Sequence, residues 1–350
     1  MRIAGRFNAR NRTPKTLSPE GTAEGAGCSA VPSGLDHSTT QPGVETPGYS
    51  QLFLRNRISK KTDPPSMRTG QSRCHMAKCA WQFAMLRRFE HSQVYHPDRD
   101  MDATGAELKR PFENLFFKTR DGVELNAWYY PADATSPRKQ WAVLVCHGNA
   151  GNISHRLGLY QALLKAGVNV FAFDYRGFGR SQGRPDEEGT YLDAQAGYQW
   201  LRQKGFPGKN IIAYGESLGG GVSSELGLRE EIAGLVLQST FTSIPDIGKE
   251  LFPWLPVKLI GRIKYDTHGK LPRLKIPVLV MHSRTDDLIG FHHGERNFAV
   301  ANEPKLFCEI QGEHNEPLTV QADFMEGIEK FLKLVEDSKG ALSCATGRSP

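Results

Sequence analysis

The sequence predicts an α/β protein built on one doubly wound, mostly parallel sheet. Short β-type apolar runs near 141–146, 168–174, 210–214, 233–238, 277–282 and 305–310 alternate with stretches of helical spacing through residues 108–336. A Gly-x-Ser-x-Gly falls where one of these runs turns into a helix. The alternation is unbroken, so the 350 residues read as one large domain with appendages rather than two small domains.

Residues 1–75 are rich in Ser, Thr, Pro, Gly and Arg and lack sustained apolar periodicity, which predicts a disordered basic tail. The tail holds eleven Lys/Arg against five Asp/Glu, and the whole chain holds 44 against 38, so the excess basicity belongs to the tail. The balanced remainder gives no reason to expect a nucleic-acid partner. No apolar core follows the first basic residues as a secretory signal requires, and no run of about 20 apolar residues predicts a membrane span. Residues 76–107 are expected as an extension packing on the core, and 337–350 as a flexible C-terminal tail.

The six cysteines are scattered, with Cys146 and Cys308 inside predicted strands, which fits reduced thiols and a cytoplasmic protein. Cys74 and Cys79 flank His75 without a second ligand pair nearby. His292-His293 opens a predicted helix and reads as surface. No metal and no cofactor are expected.

Taken in order, the hairpin at Asp121-Gly122 is followed by the strand Trp141–Cys146 and the loop His147-Gly148-Asn149-Ala150-Gly151-Asn152. Asn152 is placed to cap a helix carrying Ile153, Leu157, Tyr160 and Leu164, which Gly167 ends. The strand Asn210–Tyr214 runs directly into Gly215-Glu216-Ser217-Leu218-Gly219 and then Gly220-Gly221-Val222. This is the setting of a nucleophile elbow, where small residues let the backbone double back and leave the hydroxyl uncovered. Gly179-Arg180-Ser181-Gln182-Gly183 matches the same pattern. Arg176-Gly177-Phe178 separates it from its strand, however, and Arg184-Pro185-Asp186 delays any helix, so Ser181 reads as a loop serine.

A serine hydroxyl is a poor nucleophile at neutral pH and needs a histidine base that a carboxylate orients. In such a sheet the acid and then the histidine follow the serine, each beyond a later strand. Ile276–His282 reads as a buried strand that delivers Ser283-Arg284-Thr285-Asp286-Asp287-Leu288-Ile289, placing one of two adjacent acids. Lys305–Ile310 is the next strand. His314 follows it, ahead of a helix marked by Phe324, Ile328, Phe331, Leu332 and Val335. A backbone N–H from the 147–152 loop and that of Leu218 can converge on a developing oxyanion.

Taken together, His147-Gly148-Asn149, Asp174-Tyr175-Arg176-Gly177-Phe178-Gly179-Arg180-Ser181, Gly215-Glu216-Ser217-Leu218-Gly219-Gly220, the Asp286 loop and Gly312-Glu313-His314-Asn315 resemble the α/β-hydrolase superfamily. The nearest branch is the serine-aminopeptidase-like group that includes bud-emergence-type proteins and depalmitoylating thioesterases. The likeness runs from about Phe89 to Phe331 and specifies nucleophile type, not substrate. It implies a sheet of the α/β-hydrolase type with Ser217 as nucleophile, His314 as base, Asp286 as orienting acid, and Asn149 and Leu218 as oxyanion donors. Family loops read Gly-x-x-Asp-x, then two aliphatic residues. Here Ser283 replaces the glycine while Asp286-Asp287-Leu288-Ile289 keeps the register, which leaves Asp287 to cap the loop.

Between Phe241 and Leu274 the chain inserts about thirty residues over the sheet's C-terminal edge, where ligands bind in such folds. Residues 243–272 are expected to form a small lid, with Phe241 and Trp254 as pocket candidates. The lid carries five Lys/Arg against three acids, a field that repels the ammonium of an aminopeptidase substrate and tolerates a neutral or anionic one. The expected activity is therefore cleavage of a small-molecule acyl ester or thioester, with peripheral membrane contact left open as a further association. A serine aminopeptidase and a non-catalytic binder on a hydrolase scaffold are the alternatives.

Overall fold

The computed structural model describes residues 84–315 and 322–345. Among them, eight strands form one sheet: β1 (Glu113–Lys118), β2 (Glu124–Tyr130), β3 (Ala142–Cys146), β4 (Asn169–Phe173), β5 (Ile211–Glu216), β6 (Gly234–Gln238), β7 (Val278–Ser283) and β8 (Lys305–Ile310). Their order across the sheet is β8-β7-β6-β5-β3-β4-β2-β1. The pairs β1–β2 and β2–β4 are antiparallel and all the others parallel.

The helices are α1 (84–94), α2 (Leu157–Lys165), α3 (Glu187–Gln203), α4 (Leu218–Arg229), α5 (Ile244–Leu251), α6 (Val257–Ile260), α7 (Thr267–Lys270), α8 (Phe291–Val300) and α9 (Ala322–Ala345). The central strands are near-continuous apolar runs because helices cover the sheet on both faces. Along β3, Ala142, Leu144 and Cys146 join one core with Ala194 and Leu201 of α3 and Val222 of α4. Val143 and Val145 join the other, with Leu159 and Leu163 of α2 and Phe324, Ile328 and Phe331 of α9. The period of two along the strand thus divides one sequence run between two cores.

Local signals place the element ends. The turn at Asp121-Gly122 takes Gly122 to φ +85°, a left-handed value that favours glycine. Asn152 accepts a 3.0 Å hydrogen bond from the Ser154 N–H, but the turn it caps is a 3₁₀ segment, Ile153–Arg156, that leads into α2. The expected helix therefore starts one turn late. The closing helix runs to Ala345, so residues 337–345, expected as part of a flexible tail, are helical. Extending an existing helix costs far less than nucleating one, and Ala341 and Leu342 are strong helix formers. The 1–75 tail and the Cys74–His75–Cys79 group lie outside the described residues.

Residues 243–272 contain α5, α6 and α7, and two carboxylates tie the segment down. Glu90 Oε1 accepts from the N–H groups of Arg262 and Ile263 at 2.7 and 3.0 Å. Glu187 accepts from those of Lys264 and Tyr265, each at 2.7 Å. The two-residue strands His96–Pro97 and Ala150–Gly151 pair in parallel, joining the end of α1 to the loop after β3.

Candidate active site

Ser217 stands between β5 and α4 with φ 51° and ψ −113°, a strained conformation for a non-glycine residue. The flanking glycines are dictated by space. A Cβ on Gly219 would run into the carbonyl oxygen of Cys146, and one on Gly215 into the backbone of Gly219 and Gly220. Only with both side chains absent can β5 fold back into α4 beside β3. The Ser217 N–H donates to Gln238 O at 2.9 Å, which fixes the turn against β6.

That turn aims Ser217 Oγ at His314 Nε2, 3.0 Å away. On the other side of the ring, His314 Nδ1 lies 2.9 and 3.1 Å from the two carboxylate oxygens of Asp286. Asp286 Oδ1 also accepts from the N–H groups of Leu288 and Ile289, at 3.0 and 2.7 Å. Burial of Asp286 works to raise its pKa, but the hydrogen bond and charge of His314 together with these backbone donors outweigh it and hold the carboxylate below its ordinary range. The carboxylate therefore takes the Nδ1 proton as acceptor and leaves the Nε2 lone pair facing the serine. Asp287 accepts from the His314 backbone N–H at 3.2 Å and so fixes the histidine loop rather than the ring.

The loop after β3 comes up beside the serine. Asn149 turns its side-chain amide to Val94 O, 3.0 Å away, and its carbonyl accepts from the His96 N–H at 2.9 Å. What it can offer a ligand is its backbone N–H. Leu218 is the first residue of α4, where N–H groups lack intrahelical partners. Arg156 braces this corner: its guanidinium donates to Ala150 O and Asn152 O at 3.0 and 3.1 Å and to the Glu216 carboxylate at 3.2 Å.

Ser217, Leu218 and Asn149 lie at the floor of a cavity of about 120 Å³. Phe241 lines it and is buried. Trp254, the other pocket candidate, does not: its indole is 75% exposed and packs edge-on against Phe252, with ring centroids 6.3 Å apart. The turn after Pro253 sends Trp254 outward, and Leu251, Phe252 and Leu255 take up the cavity side. One wall was missed by the sequence reading. Leu86, Phe89, Glu90, Gln93 and Val94 of α1 all line the cavity, and their spacing of i, i+3, i+4, i+7 and i+8 is the helical-face signal that could have found them.

The second Gly-x-Ser-x-Gly has a different job. Ser181 is fully buried; its Oγ donates to Asp174 O at 2.7 Å and accepts from the Asn126 N–H at 2.9 Å. Ser181→Ala strands both backbone groups in the interior, so it is expected to cost about 1–3 kcal/mol of stability. Thermal melting should show the loss, and reaction with active-site serine probes should be unchanged.

Among the described residues one group of metal-ligating type assembles away from Ser217. Glu250 of α5 meets His292 and His293 of α8, at 2.9 and 3.2 Å from their Nε2 atoms. The Thr242 N–H donates to His293 Nδ1 at 3.1 Å, which leaves that ring's proton on Nε2, pointing at Glu250. The group is thus a hydrogen-bonded clasp. His293 is buried, not at the surface as expected, because with Gly294 and Asn297 it forms the inward face of α8.

Comparison with known proteins agrees with this architecture. Residues 142–261 match the family model described as alpha/beta hydrolase fold. The uncharacterized protein Rv2307c of Mycobacterium tuberculosis is 36% identical over 242 residues, covering 68% of this chain and 85% of the relative. Protein bem46 of Schizosaccharomyces pombe is 32% identical over 217 residues, covering 58% and 72%. The esterase Pf2001 of Pyrococcus furiosus superposes with a TM-score of 0.55 at 25% identity, covering 69% of this chain and 97% of the esterase. An alpha-beta hydrolase of Vibrio vulnificus superposes with a TM-score of 0.56 at 18% identity, over 77% and 98% of the two chains, and shows the fold alone. With the strand order, the strained serine turn and these relatives in agreement, the chain belongs to the α/β-hydrolase family.

Proposed function

We propose that this chain is a serine hydrolase that cleaves an ester or thioester bearing an apolar acyl group. The observation that carries the reading is the apolar cavity whose floor is Ser217, with Oγ 3.0 Å from His314 Nε2. As the hydroxyl attacks the acyl carbonyl, His314 Nε2 takes its proton, and Asp286 stabilises the resulting imidazolium through Nδ1–H. The oxyanion forms beside the backbone N–H groups of Asn149 and Leu218; losing one such donor typically costs about 10²–10³ in rate. His314 then protonates the leaving alcohol or thiol, and water releases the acyl group by the reverse sequence. The similarity to an esterase at 25% identity supports the reaction class.

The competing peptidase reading needs a carboxylate free to hold a substrate ammonium, since an unpaired charge in a covered site is costly. Glu90 is the one charged residue lining the cavity among the described residues, and its Oε1 already receives two backbone N–H groups. The test compares p-nitrophenyl acyl esters with aminoacyl p-nitroanilides. Ester turnover is expected to dominate by more than leaving-group reactivity accounts for. Efficient anilide cleavage with slow ester cleavage would promote the peptidase. Within the ester series, Phe252→Ala should reduce kcat/KM for octanoyl relative to acetyl esters by about tenfold, the scale of one lost apolar contact, and Trp254→Ala should not.

A further inference from the structure

Large exposed apolar side chains gather in one part of this molecule. Met85 and Phe89 of α1 are 52% and 41% exposed, and Leu251, Trp254 and Leu259 are 41%, 75% and 85% exposed. Among the described residues only Phe116 on β1 adds to that set. Folded surfaces ordinarily scatter such residues singly, and a gathered patch marks an interaction site.

The two segments that carry the patch, 84–94 and 251–260, also line the cavity above Ser217. Phe89 packs edge-on to Phe252 at 6.1 Å between ring centroids, and Phe252 to Trp254 at 6.3 Å. Apolar surface thus continues from the outer face of the cap into the cavity. The charge around it is one-sided. Residues 84–94 and 249–264 hold six Lys/Arg, all exposed, against two glutamates. Both glutamates are engaged, Glu90 by backbone N–H groups and Glu250 by His292 and His293. Lys258 shares its charge with Asp246 at 2.7 Å, which leaves Arg87, Arg88, Lys249, Arg262 and Lys264 to set the field.

We propose that this face docks on a lipid bilayer containing anionic headgroups, with the cavity mouth against the membrane. An indole beside basic side chains suits the headgroup boundary, where aromatic rings settle and each Lys or Arg is drawn to anionic lipid. A second copy of the chain fits worse, because it would press two basic rims together. Docking stands on the surface alone. That the acyl substrate reaches Ser217 directly from the bilayer rests on the proposed hydrolase activity.

The test uses the full chain carrying Ser217→Ala, so that lipid is not consumed, and vesicles of phosphatidylcholine with or without phosphatidylglycerol. Co-sedimentation is expected with the anionic vesicles only, and added salt should weaken it. The double variant Trp254→Ala/Leu259→Asp should lower partitioning at least tenfold, with melting and soluble-ester turnover of the Ser217 form unchanged, since both side chains project into solvent. Absence of binding to anionic vesicles would overturn the proposal. So would binding that the double variant leaves intact, the result expected if the basic amino-terminal stretch did the work. Vesicle binding without any ester hydrolysis by the Ser217 form would leave docking in place and reject the hydrolase reading. Ester hydrolysis without vesicle binding would do the reverse.

Discussion

Ser217→Ala is expected to abolish labelling by a fluorophosphonate and to lower kcat for acyl esters by about 10⁴–10⁶, because the members of such a constellation act as a unit. The substitution removes the atom that faces His314 Nε2 at 3.0 Å and little else. Its backbone stays at a positive φ that alanine can adopt under the same strain, and the Ser217 N–H keeps its bond to Gln238 O. Melting should therefore move by no more than a few degrees, which separates lost chemistry from lost fold. If labelling persisted in Ser217→Ala and disappeared in Ser181→Ala, the nucleophile would be the other serine. The doubly bonded, fully buried position of Ser181 argues against that outcome.

The contrast between these two serines shows what a sequence can carry. Both sit in Gly-x-Ser-x-Gly, so the pattern is silent on the choice. The difference lies in register: Gly215 is the penultimate residue of its strand, which runs to Glu216, and the helix begins at Leu218. Strand placement was legible for a related reason, since strands covered on both faces are uniform apolar runs with polar loops at each end. Order across the sheet was not read strand by strand, because pairing is set by contacts between distant segments. The cavity was the least legible part. Phe241 was within reach as the aromatic three residues past the end of β6, but Trp254 was misjudged because a two-residue shift in an irregular turn decides which aromatic points inward. The α1 wall was overlooked although its spacing was regular, since a helix in an extension carries no motif to link it to a site beyond β5.

The adjacent acids give the second large contrast. Asp286→Asn is expected to reduce kcat/KM by about 10⁴, the loss typical when the orienting carboxylate becomes an amide. The reason lies in how the carboxylate is held. Oδ1 receives the N–H groups of Leu288 and Ile289 at 3.0 and 2.7 Å, so an asparagine must keep its carbonyl oxygen there. Its NH₂ then occupies the position 2.9 Å from His314 Nδ1 and donates to it. That donation forces the ring's proton onto Nε2, so the nitrogen that faces Ser217 has no lone pair to accept the hydroxyl proton. Asp287→Asn should cost less than about tenfold, because an amide oxygen can receive the His314 backbone N–H as the carboxylate does at 3.2 Å. Steady-state kinetics on the two single variants, with circular dichroism to confirm folding, make the comparison. Equal and small losses from both would mean that a different carboxylate orients His314.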